Sequence, residues 1–212
     1  MKNTALPEHP QPRTKPAEVR LDELMDAAQQ LFVSKGFEAT TVSDIVRDAG
    51  VAKGTFYHYF ASKNEMLDAL RERFTRQFIA TIQQAVDSCA AGDSIGRLRA
   101  WCHAGVAAYL QGMDLHDMLY HDHHYHTRGN RDRDAVLSQI LAILSAGQEA
   151  GSWKSDDLQL TAILMYHGMH GAVDNIVVSD PLQAERLGEA LTRQFMQLLS
   201  CQPDQAINVS VS

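Results

Sequence analysis

Cysteine is scarce in this chain of 212 residues: Cys89, Cys102 and Cys201 lie far apart with no C-x-x-C spacing. An odd, scattered set excludes a full disulfide framework and fits free buried thiols in a reducing compartment. Long apolar runs are also missing. No stretch reaches the roughly 20 residues that cross a bilayer, and the N-terminus has no apolar secretory core. The expectation is a soluble, cytoplasmic protein without a membrane partner. Sustained period-two alternation is absent outside the short tail at 207–211, so strands are not expected. There is no internal repeat and no low-complexity tract. Proline gathers at the start (Pro7, Pro10, Pro12, Pro16), marking residues 1–16 as a disordered arm or, through Lys2, Arg13 and Lys15, a basic arm lying along DNA. Positive charge is in deficit too. The net charge is -7, which as a sum argues against a nucleic-acid partner. Its distribution is more telling: residues 1–63 hold 8 Lys/Arg and 8 Asp/Glu, so the whole deficit lies in residues 64–212.

What is present is helix, with enough apolar residues (45%) for a sizeable core. Leu21, Leu24, Ala28, Leu31 and Phe32 follow helical spacing, which predicts a helix over 17–35 ended by Gly36. Thr41-Val42-Ser43-Asp44 reads as a capping box with Asp in the Glu position, opening a short helix that Gly50 ends. A further short helix covers about 52–59. Ser62-Lys63-Asn64-Glu65 is a full S-x-x-E box and opens a long helix through Met66, Leu70, Phe74, Phe78, Ile82 and Val86. Breaks at residues 91–93, 112, 128–130, 151 and 180–181 give five more helices, over about 94–111, 114–127, 131–150, 156–179 and 182–200. The expected fold is all-α with about nine helices. It comprises an N-terminal arm (1–16), a three-helix head (17–63), a larger helical body (64–202) and a flexible tail (203–212).

Two short helices joined by a tight glycine turn and packed on a longer one form a helix-turn-helix, whose second helix enters the major groove of double-stranded DNA. That helix carries Lys53-Gly54-Thr55-Phe56-Tyr57-His58-Tyr59-Phe60. Phe56 and Phe60, four apart, are expected inward. Lys53 can donate to guanine O6/N7 or to a phosphate, Thr55 and Tyr57 can donate to phosphates or pack on a thymine methyl, and Gly54 admits a close approach of the backbone. Lys63 sits in the first turn of the next helix, where the dipole favours a phosphate. The run from Lys35-Gly36-Phe37 through Thr41-Val42, Ile45, Ala49-Gly50-Val51, Lys53–Phe60 and Ser62-Lys63 resembles the head of the TetR family of repressors over about residues 18–70. The resemblance implies an all-α homodimer on a palindromic operator, released when a small-molecule effector enters the body. It implies DNA contacts from Thr41, Ser43, Lys53, Gly54, Thr55, Tyr57, Tyr59 and Lys63. Ala52 departs from the Ser that often caps the recognition helix in the family, at a cost of roughly 1 kcal/mol.

In the body, the family pairs the last two helices into the dimer interface. The helix over 156–179 is apolar on more than one face, through Leu160, Ile163, Leu164, Met165, Met169, Ala172, Val173, Ile176 and Val177, and so needs burial on two sides. Gly168 and Gly171 permit close approach, and Leu187, Leu191, Phe195, Leu198 and Leu199 supply the matching stripe. Histidine is the unusual feature: His116, His121, His123, His124 and His126 lie within twelve residues, with His103 before and His167 and His170 after. Asp122 and His126 share a face with Leu115, Met118, Leu119 and Tyr125. They either point into a ligand pocket or close a helix end as a hydrogen-bonded pair. The expected pocket liners are Trp101, Tyr109, Met118, Asp122, His126, Met165, Tyr166, His167 and His170. No certain cofactor follows; a divalent metal held by Asp122, His126, His167 and His170 would make the chain a metal-responsive regulator of the same fold. His121-Asp122, with His103 and Asp174, also resembles loosely a metal-dependent phosphohydrolase of the HD type, the one enzyme alternative to a non-catalytic binding protein.

Overall fold

The computed structural model describes residues 17–120, 131–175 and 181–200, and every regular element among them is an α-helix. In chain order these are α1 (Ala17–Lys35), α2 (Val42–Asp48), α3 (Lys53–Tyr59), α4 (Lys63–Asp87), α5 (Ser94–Gln111), α6 (Met113–Tyr120), α7 (Arg131–Glu149), α8 (Leu158–Asn175) and α9 (Pro181–Ser200). The expected helices over 114–127 and 156–179 are seen in their described parts, as α6 and α8. The N-terminal arm, the tail and His121, Asp122, His123, His124 and His126 lie outside the described residues. Two compact units divide between Leu70 and Arg71. The division falls seven residues after the expected one because Met66 and Leu70, in the first two turns of α4, are buried within the first unit. No helix among the described residues is long and apolar enough to cross a membrane.

In the first unit α1 packs on α2 and α2 on α3. Leu24, Ala28, Ile45 and Phe56 are fully buried, with Phe32 and Phe60 nearly so. Local chemistry sets the ends. Gly36 takes φ +89° and closes α1. At the end of α2, Gly50 takes φ +64°, Val51 N–H donates to the Val46 carbonyl and Gly50 N–H to Arg47, the paired bonds of a Schellman cap. The α2 capping box is present in full: Thr41 Oγ1 accepts from Asp44 N–H (3.1 Å) and the Asp44 carboxylate accepts from Thr41 N–H (3.1 Å). Asp44 also pairs with Lys35 (2.9 Å) and Arg47 (2.7 Å). The second box differs from expectation. Ser62 Oγ accepts from Glu65 N–H, but the Glu65 carboxylate reaches past Ser62 to Ala61 N–H (2.6 Å).

In the second unit α5 is the shared wall, packed against α6, α7, α8 and α9, while α8 also packs on α7 and α9. Trp101, Cys102, Val106, Ile140, Leu144, Met165 and Met169 form its fully buried centre. Burial pushes the Cys102 thiol up to about 12, leaving it a protonated, unreactive core group. Helices approach closely where side chains vanish. Trp153 lies across Gly147 and donates its Nε1–H to the Leu144 carbonyl (2.9 Å).

Two outcomes follow. A Cβ at Gly147 would overlap the Trp153 ring, which its hydrogen bond holds in place. Gly147→Ala is therefore expected to cost about 1–3 kcal/mol, read as a lowered urea midpoint. For Asp44, the Lys35 ammonium first, then the Thr41 backbone and hydroxyl and Arg47, hold the carboxyl well below its ordinary value of 3.8. A depressed carboxylate stabilises the fold above its unfolded pKa and loses that contribution as pH falls toward the folded value. Asp44→Asn should thus be less stable than wild type at neutral pH by a margin that stays constant down to about pH 4 and shrinks below it, measured by thermal unfolding across pH.

Candidate functional site

The sequence builds α3 with two unlike sides. Phe56 and Phe60 turn into the core, their rings 5.7 Å apart. Lys53, Gly54, Tyr57 and His58 are exposed, and Tyr57 keeps 53% of its surface free. A Cβ at Gly54 would meet nothing within 4 Å, so this face is open to a partner's close approach. Ala52 makes no side-chain cap bond, as its lack of an acceptor requires. Thr41 and Ser43 are exposed at the start of α2, with the Thr41 hydroxyl also engaged by Asp44. Because Lys35 and Arg47 pair with Asp44, this acid does not stand as bare negative charge beside the exposed face.

Two expected contacts have inward partners. The Lys63 ammonium donates to the carbonyls of Phe37 (2.5 Å) and Thr40 (2.9 Å), comes within 3.4 Å of the Glu38 carbonyl, and lies 4.2 Å over the Phe37 ring. The Tyr59 hydroxyl donates to the Ala17 carbonyl (2.9 Å), pinning the start of α1 to the end of α3. Ala17, Arg20, Gly54, Thr55, His58 and Tyr59 border one shallow groove there.

The body holds a cavity of about 50 Å³. Phe74, Thr75 and Phe78 come from α4, Tyr109 from α5, His116 and Tyr120 from α6, Asp132, Arg133 and Val136 from α7, and Tyr166 and His170 from α8. Of the expected liners, Tyr109, Tyr166 and His170 are here. Trp101 and Met165 are instead fully buried core residues, and between α5 and α8 Gly105 leaves room for Met169, whose Sδ a Cβ there would meet at 2.7 Å. Met118 is half-buried outside the cavity lining and His167 is exposed. Asp122 and His126 lie outside the described residues, and among the described residues no group of three or more His, Cys, Asp or Glu is placed to hold a metal ion. His103 sits 3.2 Å from Glu189, and Asp174 accepts a hydrogen bond from Tyr109 (2.6 Å).

The cavity's polar groups have defined states. His170 Nδ1 lies 2.8 Å from the Tyr166 carbonyl, which can only accept, so Nδ1 carries the proton. Burial pushes the His170 imidazole down to about 4, so it is neutral at neutral pH, with its lone pair on Nε2. Burial also raises the Tyr109, Tyr120 and Tyr166 phenols, the last up to about 12, so all three remain protonated. The Tyr120 hydroxyl lies between Thr75 (3.1 Å) and Asp132 (3.3 Å), and desolvation raises the Asp132 carboxyl. Arg133 donates from Nε and a terminal nitrogen to Asp134.

Comparison with known proteins agrees with this layout. Residues 24–70 match the family described as bacterial regulatory proteins, tetR family. The chain is 33% identical over 153 residues, 66% of its length, to an HTH-type transcriptional repressor, KstR2, of Rhodococcus jostii (strain RHA1), covering 72% of that protein. It is similar to the solved structure of the ketosteroid transcriptional regulator KstR2 of Mycobacterium tuberculosis, with a TM-score of 0.59 and 25% identity, over 91% of this chain and 98% of that one. The fatty acid degradation regulator FadR of Bacillus halodurans shares the fold, at a TM-score of 0.69 and 20% identity, over 90% and 100% of the two chains. The kinship runs through the body as well as the head: the chain belongs to the TetR family and is a DNA-binding transcriptional repressor.

Proposed function

We propose that the protein binds a palindromic operator as a homodimer through α2 and α3, and that a small molecule in the body cavity releases it. The observation that carries the DNA-binding half is the two-sided α3: one side locked in the core by Phe56 and Phe60, the other offering Lys53, Gly54 and Tyr57 to a partner. A helix anchored this way presents its outer side chains as a rigid unit, which reading base edges requires. Thr41, Ser43 and Thr55 flank the face and suit phosphate contacts. Lys63 and Tyr59 serve it from behind, by holding the helices in register.

Dimerisation is supported by α8. Leu160, Leu164, His167, Gly168 and Gly171 are exposed along it at spacings of three and four, an apolar and small-residue stripe that ends at the exposed polar pair Asp174 and Asn175. Four of the five α9 residues expected to match it, Leu187, Leu191, Phe195 and Leu199, face the subunit's own core instead, leaving Leu198 exposed. The proposed interface is therefore α8 against its two-fold mate, with Leu198 at its side. The symmetry matches a two-fold operator. An effector shifts the dimer between DNA-competent and incompetent forms only by its differential affinity for them. The aromatic lining supports an organic effector over a metal ion, and the ketosteroid regulator among the similar structures supports an apolar metabolite.

Selection from random duplexes should yield a palindrome; retention of all sequences alike would remove this reading. On that operator, Lys53→Ala is expected to weaken binding and reduce the salt slope by about one. Lys63→Ala should lower the melting temperature of the head but leave the slope unchanged, since its charge faces carbonyls. For the dimer, Leu164→Arg should convert the protein to monomer in size-exclusion light scattering and reduce operator affinity by at least about tenfold, a loss of 1.4 kcal/mol or more.

A further inference from the structure

The lining of the body cavity contains two polar side chains with an atom that makes no hydrogen bond among the described residues. Tyr166 carries a protonated phenol, and its hydroxyl makes no hydrogen bond among the described residues. His170 donates through Nδ1 to the Tyr166 carbonyl, and Nε2 makes no hydrogen bond among the described residues. The two rings lie 4.2 Å apart by centroids and both border the cavity, so α8 brings a donor and an acceptor to it. The other hydroxyls are taken: Tyr109 by Asp174, Tyr120 by Thr75 and Asp132.

Charge narrows the choice. The cavity lining has one carboxylate, Asp132, and one guanidinium, Arg133. Asp132 accepts from Tyr120 and Arg133 donates twice to Asp134. Among the described residues Arg133 is committed to Asp134 and the His116 imidazole lies 3.4 Å from the Asp117 carboxylate, so an anion entering the space would lose hydration without an uncommitted counter-charge. The walls are flat rings. Phe74 and Phe78 stack at 17°, and His116 lies 4.5 Å from Tyr109 and 5.1 Å from Tyr120.

We infer that the cavity takes an uncharged, ring-bearing molecule with a hydroxyl group, the ring against the aromatic walls and the hydroxyl accepting from Tyr166 while donating to His170 Nε2. This rests on the ligand-released reading above and names the class of the ligand. The space between these side chains, about 50 Å³, accepts a few waters and is smaller than the roughly 150 Å³ that takes a benzene ring, so a ring that enters it fully displaces lining side chains. Binding is thereby tied to a change of shape, which a releasing ligand needs.

The test uses the full-length protein and three single-ring probes: phenol, anisole and benzoate, titrated by calorimetry or ligand-observed NMR. Phenol should bind at least about fivefold tighter than anisole, which accepts but cannot donate, and tighter again than benzoate. His170→Phe should abolish the preference for phenol over anisole. Tyr166→Phe should weaken both by a similar factor and leave the preference standing, a pattern that general loosening of the fold would not produce. Benzoate equal to or tighter than phenol, anisole equal to phenol in the wild type, or binding of none of the three would overturn the inference. Phenol binding in the expected order without any fall in operator affinity would uphold this ligand class and count against the ligand-released reading instead.

Discussion

Two helices of seven residues carry the side of this repressor that we propose faces DNA, and neither is long enough to hold its shape alone in water. Everything the head does depends on that shortfall being made up from elsewhere. Burial of Ile45 and Phe56 supplies part of the stabilisation. The rest comes from polar ties that reach across the chain. Lys63, at the first position of α4, grips the carbonyls of the turn that leads into α2, some 23 to 26 residues earlier. Tyr59 ties the end of α3 to the start of α1. Thr41 and Asp44 close the front of α2 on themselves. The result is a small unit whose outer side chains are positioned by ties made within the head itself.

The helices were legible in the sequence because their boundaries are local chemistry. Gly36 and Gly50 take the left-handed backbone that ends a helix, and the Thr41–Asp44 box needs only residues three apart. The inward turn of Phe56 and Phe60 follows from helical spacing alone. Lys63 was legible as a first-turn cation and not as a clamp, because its acceptors are main-chain carbonyls that carry no residue signature. The same limit applies to Ser62 and Glu65, where spacing named the box and geometry moved the carboxylate's partner to Ala61.

The body was harder to read. Histidine abundance pointed to His170, and Tyr109 and Tyr166 were expected beside it only as unspecific liners; all three border the cavity. Charged residues in the first turn of a helix normally read as solvated, which hid Asp132 and Arg133. His116 and Tyr120 are not among the residues that define the apolar face of their segment, yet both line the cavity. Trp101 and Met165 read as liners and are core, because the packed cluster of α5, α7, α8 and α9 side chains encloses them. Periodicity reports which side of a helix is apolar; whether that side meets a packed neighbour or a gap is decided by a residue on another helix.

The bond from Tyr59 to the Ala17 carbonyl has a practical side. It fixes the point where the chain enters α1 beside Gly54 and Thr55, at the rim of the surface assigned to the operator. A tag or reporter joined directly at Ala17 in place of residues 1–16 would start at that rim, close enough to add or block phosphate contacts. Binding constants from a protein shortened and tagged there would describe the tag as much as the repressor, so a carboxyl-terminal fusion or a cleaved tag is the sounder preparation.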